Sequence, residues 1–175
     1  MYASFHGVDY AALIIRVTLA IPMFMHGYNH LFGGGKLAGT GRWFESLGMK
    51  PGWLHARFAT FTELGVAPLL ILGLLTPLAA AGVIGVMLVA LITNHYKNGY
   101  FIFRPGEGYE YVLFITMSSF GLAALGGGKF SLDNAFNIGS WMYGGKGLLV
   151  SLLGVLGAIG LLAVFWRPVK PAEGS

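Results

Sequence analysis

Cysteine is absent from the 175 residues. That excludes disulfides, Fe–S ligation and any thiol chemistry on this chain. Charge is scarce as well. Asp, Glu, Lys and Arg make up 10% of the residues, against about 25% in an ordinary soluble domain. With 55% hydrophobic residues and a mean hydropathy of +0.69, a water-soluble globule is excluded. The net charge of +4 is small, and no basic arm or stripe points to nucleic acid. The alternation of a membrane β-barrel is missing too, because the apolar residues come in long unbroken runs. Residues 1–9 hold no Lys or Arg. The positive start of a signal peptide is therefore lacking, and the first apolar run is expected to stay as a signal-anchor.

What is present is five apolar stretches, at roughly 10–32, 57–76, 78–96, 110–126 and 147–166. Each approaches the ~20 residues that span a bilayer core as a helix. The expected fold is all-α, a polytopic membrane helical bundle. Thr76 and Pro77 alone separate the second and third stretches, which predicts an antiparallel hairpin with Pro77 at a helix start. Residues 33–56 begin glycine-rich and then read RWFESLGM. Trp43, Phe44 and Leu47 share one helical face there, which predicts a short interfacial helix. Trp43 and Trp53 suit the aromatic belt.

Five spans place loop 33–56, loop 97–109 and the C-terminus on one side. That side carries Lys36, Arg42, Lys50, Arg57, Lys97, Arg104, Arg167 and Lys170, and the other only Lys129 and Lys146. The positive-inside rule then predicts the N-terminus outside and the C-terminus in the cytoplasm.

Intramembrane ionisable residues are costly, so each is a functional candidate. The topology brings His26 and His30, Glu63, His95 with Asn94, and Glu110 into the same half of the bilayer. A carboxylate two turns deep needs a cation, a hydrogen-bond donor or a proton, and His26 is the expected partner of Glu63. Such a pair could relay protons, bind a quinone carbonyl or simply join two helices. Two histidines at i, i+4 are weak evidence for a metal, and none is expected. A haem, which would need facing ligands such as His26 with His95, is not expected either. Pro22, one turn before His26, could kink the first helix and widen a pocket. Arg16 lies in the other half, about 15 Å from His26 at 1.5 Å per residue. It either snorkels to the outer headgroups or pairs inside the bundle with a ligand headgroup or an acid such as Asp133.

Two tempting signals fail. GGGK occurs at 33–36 and 126–129, but neither lysine is followed by the Ser or Thr of a phosphate-binding loop. Gly147, Ser151, Gly154 and Ala158 form a small-residue stripe on the fifth stretch. It would permit close helix contact within the chain or between subunits.

Four segments resemble the DoxX family of small bacterial membrane proteins. They are IIRVTLA with Arg16 followed by FMHGYNHLFGG, Glu63-Leu64-Gly65 followed by PLLILGLLTPLAA, Gly108-Tyr109-Glu110-Tyr111, and GGGKFSLD ending at Asp133. The resemblance implies a four-helix core over residues 1–134. Residues 135–175 then form a loop, an added fifth helix and a short polar tail. Where the family often has Lys after the His-Gly pair, this chain has Asn29 and His30, so no basic ligand role is carried over. Related DoxD-type subunits belong to thiosulfate:quinone oxidoreductases, and other relatives are linked to redox complexes. The resemblance therefore implies an accessory or quinone-interacting subunit in the bacterial cytoplasmic membrane. Its partners would be other membrane or soluble redox subunits, with a possible homo-oligomer through helix five. The cofactor-binding candidates are His26, Glu63, His95, His30, Glu110 and Arg16. A non-catalytic scaffold and a small lipid or solute transporter are the alternatives. Any sulfur chemistry has to occur on another chain.

Overall fold

A computed structural model describes residues 6–139 and 142–168. Seven α-helices occur among them: α1 (His6–Phe32), α2 (Lys36–Ser46), α3 (Gly52–Leu72), α4 (Thr76–Ala90), α5 (Glu110–Leu125), α6 (Leu132–Ala135) and α7 (Gly145–Phe165). A π-helical turn over Leu91–His95 and a 3-10 turn over Tyr96–Asn98 prolong α4. There is no strand among the described residues, only an isolated antiparallel bridge between Met49 and Trp166. The all-α membrane bundle is what the composition predicts.

α1, α3, α4 and α5 form a ring in which each packs on the next, and α7 lies against α4 and α5. Leu19, Met23, Leu70, Val83, Ile115 and Leu122 fill the centre. The outside is apolar as well: Ile14, Phe24, Phe61, Phe114, Met117, Leu149 and Leu156 are all exposed. Exposed side chains of this kind on several helices suit hydrocarbon, not water. α1, α4 with its extension, and α7 are long and apolar enough to cross a membrane, and α5 is a shorter apolar helix. The chain is a multi-pass membrane protein.

Helix ends differ from the hydropathy reading at the start of α1, which begins at His6, and most of all at α3. α3 begins at Gly52, five residues before the predicted stretch, because His55 interrupts the apolar run but not the backbone ladder. It stops at Gly73, whose left-handed φ of 64° is unstrained for glycine. The N–H of Leu74 returns to the Leu69 carbonyl at 2.9 Å. α4 then starts with Pro77 in its first turn, as the sequence predicts.

The expected interfacial helix is α2, which packs against α3 and α1. Its buried aromatic is Phe44, while Trp43 stays exposed. The last turn of α7 is stitched to the segment after α2. Arg167 N–H donates to the Gly48 carbonyl at 2.8 Å and Lys50 N–H to Phe165 at 3.2 Å. The end of α7 therefore lies on the same side as loop 33–56. Lys170, counted with that side, lies outside the described residues.

The small-residue stripe of α7 is used within the chain. Gly147, Ser151, Gly154 and Ala158 are all buried. A Cβ on Gly147 would collide with the Ala123 carbonyl of α5, and one on Gly154 with the Ala81 carbonyl of α4.

At the opposite end, the loop after α5 folds back over the bundle. Asp133 is fully buried. Its carboxylate accepts the N–H groups of Leu75 at 2.6 Å and Thr76 at 2.8 Å. It thus caps α4 from another helix, with charge complementary to the helix N-terminus. Burial pushes the nearby Tyr143 hydroxyl up from its ordinary range, so it stays protonated. Asp133→Ala is expected to lose about 2 kcal/mol of stability. Asp133→Asn, which keeps one acceptor, should lose roughly half of that. Unfolding titrations in mixed micelles would check both.

Candidate functional site

A cavity of about 790 Å³ opens in the half of the bundle where α2 packs. Its volume falls within the range of small-molecule sites. It lies between α3 and α4. Residues of α1, the start of α5 and α7 line it as well, with Trp43, Phe44 and Met49 toward α2.

Of the six candidate residues, four line this cavity: His26, His30, Glu63 and His95. The partner of Glu63 differs from the expectation. His30 Nδ1, not His26, lies 3.2 Å from Glu63 Oε2. The two residues are one turn apart on α1, so the depth argument admitted both and only helix rotation decides. Gly27 makes the approach possible: a Cβ there would sit 2.7 Å from the Leu64 side chain and 3.2 Å from Glu63 Cβ.

The same His30 nitrogen lies 3.3 Å from the Thr60 hydroxyl, which itself donates to the Ala56 carbonyl at 2.6 Å. Both neighbours therefore offer lone pairs to Nδ1, and this partner chemistry assigns it the proton. The His30–Glu63 contact is within ion-pair distance, but its angle is too poor for a hydrogen bond, and Glu63 Oε2 has no hydrogen-bond partner. Glu63 is only 4% exposed. A buried carboxylate oxygen without a donor is a place where a ligand donor or a proton gains the most.

His26 is exposed at the rim. His95 is held by the loop before α5, with its Nδ1 2.9 Å from the Glu107 carbonyl. The π-helical turn that ends at His95 is a local departure of a kind frequent at functional sites.

Glu110 and Arg16 are elsewhere. Glu110 stands in the first turn of α5, and its Oε2 accepts the Ile102 N–H at 3.2 Å. It braces loop 99–109 and does not line the cavity. Arg16 does not snorkel: it is completely buried. Its Nη1 donates to the carbonyls of Leu70 at 3.2 Å and Ile71 at 3.1 Å, and its Nη2 to that of Phe130 at 2.5 Å. No ion pair joins it to Asp133 among the described residues, because Asp133 is committed to the start of α4. Arg16 instead caps the C-terminal end of α3, where a cation complements the helix dipole.

Sequence reasoning missed His55. It sat in the predicted loop, yet it is 2% exposed and lines the cavity. Its ring lies 5.1 Å from Phe165 and 6.2 Å from Phe44, and neither ring nitrogen has a hydrogen-bond partner. The α7 wall, including Leu153, Gly157 and Leu161, was also not anticipated, because apolar lining has no sequence signature. Among the described residues, no three His, Asp or Glu side chains come together as a metal-ligand set.

The cavity thus joins a polar end with hydrogen-bonding groups of both kinds to a long apolar flank. It can hold a lipid-soluble molecule with a polar head, and it can move a proton at that head. The DoxX family model matches residues 11–96, from α1 to the end of the π-helical turn. Neither the curated proteins nor the solved structures compared include a match.

Proposed function

The chain is a DoxX-family membrane protein through residues 11–96, and from that premise we propose that it is a quinone-holding accessory subunit of a membrane redox system. The observation that carries the proposal is the meeting of the His30–Glu63 pair with an apolar cavity of about 790 Å³. A quinone ring needs donors at its carbonyl oxygens and a proton route on reduction. His26 lines the cavity and can supply a ring N–H, whereas Nδ1 of His30 faces Glu63 and Thr60 and Nδ1 of His95 faces the Glu107 carbonyl; Glu63 supplies a buried base. Quinone reduction takes two electrons and two protons. In this reading the electrons come from a partner subunit, since this chain has no cysteine. Its share is to hold the ring, exclude water and pass protons through His30 and Glu63.

The charge count supports an orientation with α2, loop 99–109 and the end of α7 in the cytoplasm. The cavity end nearest α2 then faces the side where a soluble electron donor would dock. An oligomer through α7 would use its exposed face, with Leu149, Leu152 and Leu156, because the small-residue stripe is already spent on α4 and α5.

Purification in detergent, followed by extraction and chromatography, tests the reading. Wild-type protein is expected to carry quinone. Glu63→Gln, isosteric but without the carboxylate beside His30, should bind it about tenfold more weakly. Absence of quinone from the wild type, with Glu63→Gln fully functional in cells, would leave a scaffold as the reading.

A further inference from the structure

The cavity has a second compartment that the polar end does not use. α3 and α7 both flank α4. They meet at the α2 end, where Phe44, Met49, Ala56 and Leu162 cluster. Away from that cluster a groove is left over α4, with Gly82 and Gly85 among its lining residues. Phe58 of α3, Leu78 of α4 and Leu153 of α7 line it and are 45–56% exposed. Gly157 lines the groove from α7, and a Cβ there would meet no atom within 4 Å.

We infer that this groove is the binding site for a single hydrocarbon tail, and that the ligand enters sideways from the bilayer between α3 and α7. The inference rests on the quinone reading for the identity of the head, but not for the tail. Three observations carry it. The groove is continuous with the polar end, so head and tail belong to one molecule. It opens through an apolar surface that faces lipid, so the ligand need never enter water. The α2 end is closed by packed side chains, so access from the aqueous side is blocked at that point. His55, buried there without a partner for either nitrogen, is a remaining polar contact for the head.

Glycine makes the test clean. Gly157→Leu fills the groove without striking a neighbour. Gly160→Leu is its control, since Gly160 is exposed, has equally open space and does not line the cavity. Both replace glycine within a helix and should not impair folding. Binding is measured in a sterol-based detergent with three probes: a decyl-tailed benzoquinone, the same ring without the tail, and decanol.

Gly157→Leu is expected to weaken both tailed probes at least tenfold and to leave the tailless ring unchanged. Gly160→Leu should match the wild type throughout. Glu63→Gln should weaken the ring probes and spare decanol. Unchanged binding of tailed probes by Gly157→Leu overturns the groove while the quinone reading stands. Decanol binding that depends on Gly157, without binding of either ring, overturns the quinone and keeps the groove. Failure of the wild type to bind either tailed probe overturns both.

Discussion

Arg16→Leu is expected to lose about 3–5 kcal/mol of stability, the largest effect of any single polar substitution in this protein. The side chain is completely buried and donates to three carbonyls from two separate segments. Leucine restores volume but takes away the donor of the Ile71 and Phe130 carbonyls, while that of Leu70 keeps only the Gly73 N–H at 3.2 Å. Each unpaired buried acceptor costs about 1–3 kcal/mol. Arg16→Lys should recover part of the loss, because one ammonium keeps the charge at the end of α3 but cannot span the forked geometry. Unfolding titrations in mixed micelles on the three proteins test this. A loss below about 1 kcal/mol for Arg16→Leu would mean that the carbonyls find other donors.

The second large effect is expected at Gly154. There the backbones of α7 and α4 approach so closely that a Cβ would strike the Ala81 carbonyl. The obstacle is backbone, so no rotamer change relieves it. Gly154→Leu should push α7 off α4 and lower stability by roughly 3 kcal/mol or more. Limited proteolysis should then cut the segment before α7, around residues 142–145, in the variant and not in the wild type. Gly157→Leu, on the same helix one turn away, should resist cleavage as the wild type does. Equal resistance in both variants would show that α7 can slide and that the stripe does not fix its place.

The order of the long helices was legible in the sequence because lipid imposes a long, continuous signal. The ends of α5 and α7 fall close to their apolar runs for that reason. α3 shows the limit. Hydropathy reports where charge stops, not where backbone hydrogen bonding starts, so His55 was assigned to a loop. The short α6 was invisible, since four residues carry no periodicity.

The site was half legible. Depth follows from chain order, and depth alone brings His26, His30, Glu63 and His95 to one level. Rotation about each helix axis does not follow from it. His30 rather than His26 therefore meets Glu63, and Glu110 turns to its own loop. Arg16 shows a different gap. Its partners are backbone carbonyls, which every residue has, so no sequence pattern could announce them.

The stitch between α7 and the segment after α2 has a mechanical consequence. Force applied to the chain beyond Arg167 passes through backbone hydrogen bonds to Gly48 and Lys50, and through the Trp166 indole to the Leu47 carbonyl at 3.0 Å. Met49, within that stitched stretch, is itself part of the cavity wall. A partner gripping the C-terminal segment therefore holds a lever whose short arm ends at the cavity roof. A rigid fusion placed directly after Pro168 would load that lever, and a long flexible linker would release it.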